Sequence, residues 1–115
     1  MTTFSSNARL LFVAQRVSAM LLAPLVIVHL ILILLAVRNG LSAEEILGRT
    51  RGNLFWAVFY SVFVIAAAVH APIGVRNVLL EWTSLSRSIT TWLCWLLGVI
   101  MLLAGARAVV AVIAG

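Results

Sequence analysis

Of the 115 residues, 64% are apolar and only 10% are charged, against roughly 25% charged in an ordinary soluble domain. Water is the wrong solvent for such a chain, and a soluble globular enzyme is excluded. The net charge of +5 comes from eight arginines and no lysine against three glutamates; on so apolar a chain these arginines read as topology-setting or snorkelling groups, with no nucleic acid as partner.

Crossing a hydrocarbon core of about 30 Å takes around 20 mostly apolar residues in a helix. Three stretches qualify: Val17 to Val37, Leu54 to Val75 and Trp92 to Ala114. Only helices or closed barrels pair every backbone group in lipid, and long unbroken apolar runs select helices. The expected fold is all-α: a single transmembrane domain over residues 1–115, part of a larger helical bundle because so small a hairpin buries little surface alone.

The sixteen residues before the first span hold Arg9 and Arg16. The apolar run from Leu10 to Val37 is too long for the h-region of a signal peptide, so the first span is expected to be retained. That span contains Pro24 and His29. In the following loop Ser42 precedes Glu44 and Glu45, which predicts the capped start of a short surface helix, broken by Gly48 and Gly52. The second span carries His70 and Pro72; each in-span proline removes a backbone hydrogen bond and predicts a kink. The third span carries Cys94, an apolar filler by position. Gly98 and Gly105 share a face there, which suits close helix packing, and Arg107 follows. Arginine counts on the two sides tie, so charge alone does not orient the chain.

Both histidines lie within spans, where an ionisable side chain is costly and is by default a functional group with a partner. Imidazole is a standard axial ligand of haem iron; the bland alternative is a neutral histidine hydrogen-bonded between helices. His29 lies about 12 Å, and His70 about 25 Å, from the membrane face where the first loop emerges. One iron cannot take both. A depth difference of about 13 Å suits two b-type haems stacked across the bilayer, each taking its second ligand from a partner subunit. Gly74, one turn from His70, would let a flat porphyrin approach the backbone. Arg76 lies about 9 Å nearer the surface than His70, where a guanidinium would hold a haem propionate.

The run His70-Ala-Pro-Ile-Gly74-Val-Arg76-Asn-Val-Leu-Leu-Glu81-Trp82 resembles the second helix of the membrane anchor subunits of succinate dehydrogenase and fumarate reductase, with its His, three residues, Gly, then Ile-Arg and a terminal acidic residue. Gln15-Arg16-Val17-Ser18-Ala19 is similar to the family's His-Arg-x-Ser/Thr-Gly start of helix one. The resemblance covers nearly the whole chain. It implies that His70 ligates the haem nearer the iron–sulfur subunit, that Arg16 contacts quinone or propionate, and that His29 ligates a haem nearer the opposite face. Gln15 stands for the usual His, Ala19 for Gly, Phe12 for a quinone-contacting Ser and Trp82 for a quinone-bonding Tyr, although an indole N–H can donate the same bond.

The same resemblance implies a bacterial-type inner membrane location with a cytoplasmic N-terminus, a flavoprotein subunit, an iron–sulfur subunit and a second membrane anchor subunit as partners, and electron transfer to quinone as the activity. Arg107 is not explained by it. That residue either snorkels or lies near propionates of a haem on His29. Two competing readings are a haem-free structural anchor and, less favoured for lack of an intramembrane carboxylate, a small multidrug-type transporter.

Overall fold

The computed structural model describes the backbone from Thr2 to Gly115 and side chains from Asn7 onward. It is all-helical, with α1 (Thr2–Arg38), α2 (Ala43–Thr50), α3 (Leu54–Trp82) and α4 (Arg87–Ala114). The three long helices are each apolar and long enough to cross a membrane. α1 begins well before the expected Val17, because Leu10, Leu11, Phe12, Val13 and Ala14 continue the apolar helix-compatible run. α3 likewise runs past Val75 to Trp82, and α4 starts at Arg87 rather than Trp92. Arg16 and Arg76 therefore lie inside helices, not in flanking loops.

α1 stops where Gly40 takes φ +64°. Gly40 N–H donates to the Val37 carbonyl and Leu41 N–H to the Ala36 carbonyl, the reciprocal pair of a Schellman cap that satisfies the last carbonyls. α2 opens on the expected capping box, with the Ser42 hydroxyl accepting from Glu45 N–H and the Glu45 carboxylate accepting from Ser42 N–H. Gly48 does not break α2 as expected: it stays helical, and the chain turns only at Gly52, with φ +68°. α1 and α3 also continue through Pro24 and Pro72 without interruption.

α3 is the central element, packed on one side by α1 and on another by α4. Early residues of α1 meet late residues of α3: Gln15 touches His70 and Asn77, whereas His29 touches Tyr60 and Phe63. The two helices are therefore antiparallel, and so are α3 and α4, where Gly105 lies on Val64 and Gly98 on Pro72. At Gly98 a Cβ would lie 3.4 Å from Pro72 Cγ and 3.5 Å from the Ala68 carbonyl, the carbonyl that Pro72 leaves without its helical donor. The sequence expectation that Gly98 and Gly105 form a close-packing face is met.

Few side chains are buried among the described residues: Ala66, Pro72, Cys94, Ser18, Thr50 and Thr90. Large apolar side chains are exposed along all three long helices, a surface that a soluble monomer does not tolerate but that lipid or partner helices cover. Trp82, Trp92 and Trp95 lie exposed around the α3–α4 turn, with exposed Phe55 and half-buried Trp56 at the other end, as in the aromatic belts of membrane interfaces.

The α2 segment is tied to the C-terminal turns of α4 by two bonds: Thr50 Oγ1 donates to the Val112 carbonyl at 2.7 Å and Gly52 N–H to the Ile113 carbonyl at 2.8 Å. Thr50→Val keeps the shape and removes one of them, at an expected cost of about 1 kcal/mol. Amide exchange at Gly52 should then accelerate roughly five-fold; unchanged exchange would show that the clamp does not hold this loop.

Candidate functional site

His70 projects from α3 toward α1. Its Nδ1 lies 3.3 Å from the Gln15 carbonyl and 3.4 Å from Ser18 Oγ, and the Ser18 hydroxyl itself donates to the Gln15 carbonyl at 2.9 Å. Ser18 is only 4% exposed. Since a backbone carbonyl can only accept, a proton on Nδ1 satisfies this junction, and Nε2 then carries the lone pair. Two turns closer to the helix end, the Asn77 amide donates to Gln15 Oε1 at 3.1 Å. A Cβ on Gly74 would stand 3.3 Å from Gln15 Nε2. Within this chain, then, it is the Gln15 amide that meets the bare backbone of Gly74.

Gln15 and Ser18 on α1 and His70, Gly74 and Asn77 on α3 thus form one polar seam. The sequence reading singled out His70 and Gly74 but missed the parts of Ser18 and Asn77. A signal was present: positions 70, 74 and 77 follow the i, i+4, i+7 spacing of one helix face, and 15 and 18 are one turn apart.

His29 sits elsewhere on the α1–α3 interface. Its ring is met edge-on by Tyr60 at 5.8 Å and Phe63 at 5.3 Å between centroids. Its Nδ1 is enclosed and has no hydrogen-bond partner among the described residues. The contacts of His29 fall seven to ten residues before His70 on α3, about 10–15 Å apart in depth.

The remaining sequence-predicted residues are not gathered at one point. Arg16 is exposed on α1 beside Gln15, about 100° around the helix from it. Trp82, 80% exposed at the end of α3, lies about 12 Å beyond the level of Gly74 and Gln15. Arg76 is half-buried and turned about 120° around α3 from His70, into a groove between α1 and α4. Arg107 is exposed and shares a depth with His29, because its neighbour Gly105 abuts Val64. It lies about 200° around α4 from Gly105, on the outward face, so the fold does not bring it to His29.

By fold this is an all-helical integral membrane protein with three candidate spans and one interhelical polar seam. Residues 5–113 match the family profile described as succinate dehydrogenase/fumarate reductase transmembrane subunit, and the chain belongs to that family. Membership makes it a subunit of a succinate:quinone oxidoreductase-type complex, assembled with the other subunits of such a complex. Searches of curated proteins and of solved structures gave no match.

Proposed function

We propose that the chain is the haem-bearing anchor of its complex, with His70 as axial ligand of a b-type haem on the iron–sulfur side and electrons passing between iron–sulfur clusters and quinone. The observation that carries this reading is the junction at His70. Metal-ligating histidines generally donate their second ring N–H to a carbonyl or carboxylate, which sets the tautomer and ring orientation. A proton on Nδ1 directed at the Gln15 carbonyl reproduces that arrangement and leaves Nε2 as the ligating atom. When bound, the haem supplies one-electron redox chemistry; the chain supplies a fixed imidazole, an apolar surround and a seam that excludes water from Nδ1.

In the same reading His29 serves a second haem nearer the opposite face, supported by its separation in depth from His70. Its enclosed Nδ1 lacks the carbonyl partner that His70 has, so it fits the ligand pattern less well. Arg16, in the motif that resembles the family's start of helix one, is the cation offered to quinone or propionate. The N-terminus is placed on the cytoplasmic side, with a flavoprotein, an iron–sulfur protein and a second anchor as partners.

The reduced-minus-oxidised visible spectrum of the purified complex, with a redox titration, tests the proposal. Two b-type components of separate midpoint support both histidine assignments. One component limits ligation to His70, and a colourless complex leaves the haem-free structural anchor.

Ser18 provides a finer check. Ser18→Ala removes one acceptor beside Nδ1–H, makes the imidazole less electron-donating and so favours the ferrous state. The His70 haem midpoint is expected to rise by a few tens of mV, since a neutral hydrogen bond is worth about 1 kcal/mol and one electron corresponds to about 59 mV per tenfold. Ser18→Thr should restore the original value. A midpoint indifferent to both substitutions would separate Ser18 from the ligand.

A further inference from the structure

Gln15 and Asn77 face each other from two candidate spans, where an amide without a partner is costly. Their 3.1 Å hydrogen bond meets that need, and it does so on a residue already engaged elsewhere, because the backbone carbonyl of Gln15 is the acceptor facing His70 Nδ1. Residue 15 is thus held to α3 twice, by its main chain at position 70 and by its side chain at position 77. The bare backbone of Gly74 lies between the two and leaves the Gln15 amide room to pass, with only 3.3 Å between its Nε2 and the place a Cβ would take. Asn77 itself is seven residues from His70 along α3, about 10 Å, and does not reach the imidazole.

We propose that Asn77 is a positioning residue for the His70 ligand: through the Gln15 side chain it fixes the rotation of α1, and with it the distance from the Gln15 carbonyl to Nδ1. This rests on the haem reading above and adds to it a residue remote from the imidazole. An N–H···O bond is normally about 2.7–3.2 Å long, so the 3.3 Å contact at His70 has no slack to lose. Main-chain atoms lie about 2.3 Å from a helix axis, and turning α1 by about 10° carries the carbonyl about 0.4 Å. That opens the contact to about 3.7 Å, where no bond remains. Ser18 gives little anchorage against such a turn: its hydroxyl donates to the same carbonyl within α1 and moves with it, and its own approach to Nδ1 is longer, at 3.4 Å. Asn77, on the neighbouring helix, opposes the turn. A weaker bond at Nδ1 makes the imidazole a poorer electron donor and favours ferrous iron.

The test is a potentiometric titration of the intact complex, with the His70 Nδ1–H proton resonance read in parallel from the histidine-labelled, dithionite-reduced complex. Asn77→Leu is close in size and unable to pair. It should raise the ferrous-to-ferric ratio of the His70 haem roughly two- to three-fold at fixed ambient potential, the effect of weakening one neutral hydrogen bond by about half, and move the Nδ1–H resonance upfield. Gln15→Leu keeps the carbonyl, removes only the amide and should give the same shift. The double variant should shift no further than either single one, because the two side chains act as a unit. Exchanging the lengths, Gln15→Asn with Asn77→Gln, keeps the same number of atoms across the gap and should return both readings toward wild type. An unmoved midpoint and resonance in Asn77→Leu overturn the proposal and leave the pair as a packing contact. Shifts that add in the double variant, or persist in the exchanged pair, overturn it as well. A colourless wild-type complex defeats the haem reading alone, since the resonance needs no iron and still decides whether Asn77 sets the bond at His70.

Discussion

His70→Ala is expected to remove the haem nearer the iron–sulfur subunit almost completely, seen as loss of its component from the reduced-minus-oxidised spectrum. No other imidazole in the chain reaches that depth, since His29 packs against Tyr60 and Phe63 at least two turns away. The fold should survive the change. What the bundle loses is one hydrogen bond to the Gln15 carbonyl and one to Ser18, about 1–3 kcal/mol, while the α3–α4 contacts are untouched. Circular dichroism and subunit stoichiometry should therefore match the wild type. Any absorbance assigned to His29 should remain, with its midpoint nearly unchanged. A variant that assembles with its full haem content would reduce His70 to a packing histidine, held by the same seam.

Gly105→Ala should strongly disrupt the packing of α3 on α4, and the contrast with Gly98→Ala makes the expectation sharp. A Cβ at Gly105 would collide with Val64 Cγ1 and stand 2.8 Å from Val64 Cγ2, whereas at Gly98 the nearest atom is 3.4 Å away. Overpacking of this kind costs typically 1–3 kcal/mol. Val64 is β-branched and stiff about χ1, so the strain falls on the separation of α3 and α4. Gly98→Ala should be near neutral, because its tight but tolerable contact is offset by up to about 1 kcal/mol of helix propensity. Unfolding in mixed micelles would read both effects. The pair Val64→Ala with Gly105→Ala should recover most of the loss, giving a coupling energy of the same order as the single-variant cost. Equal stability of Gly105→Ala and wild type would mean that the α3–α4 packing described here is not held in the assembled protein.

Both predictions draw on features partly legible in the chain alone. Gly98 and Gly105 are seven residues apart in an apolar run, and their shared face followed from helical periodicity. His29 and His70 stood out because ionisable groups are rare in spans. What such reasoning missed was the seam around His70. Ser18 and Asn77 are unremarkable singly, and only the antiparallel register of α1 on α3 brings Asn77 to Gln15 and Ser18 to the imidazole. The early start of α1 is hidden in the sequence by Arg9 and Arg16, which resemble flanking charges; long side chains that reach solvent along a helix do not end it.

The amino-acid sequence by itself determined the solvent, the number of spans, the all-α class and the capping of α2, because these depend on apolar run length and on signals within a few residues. It also carried the motifs that place the chain in its family. The tertiary structure decided which faces meet. Gly74 receives the Gln15 amide, Arg76 turns into the α1–α4 groove, and Arg107 stands on the outer face of α4, level with His29 but apart from it. The reason is geometric: the position of a residue along a helix gives its depth at about 1.5 Å per residue, but the neighbour it meets depends on the rotation and register of a second helix, set by contacts such as Val64 on Gly105 that are far apart in the chain.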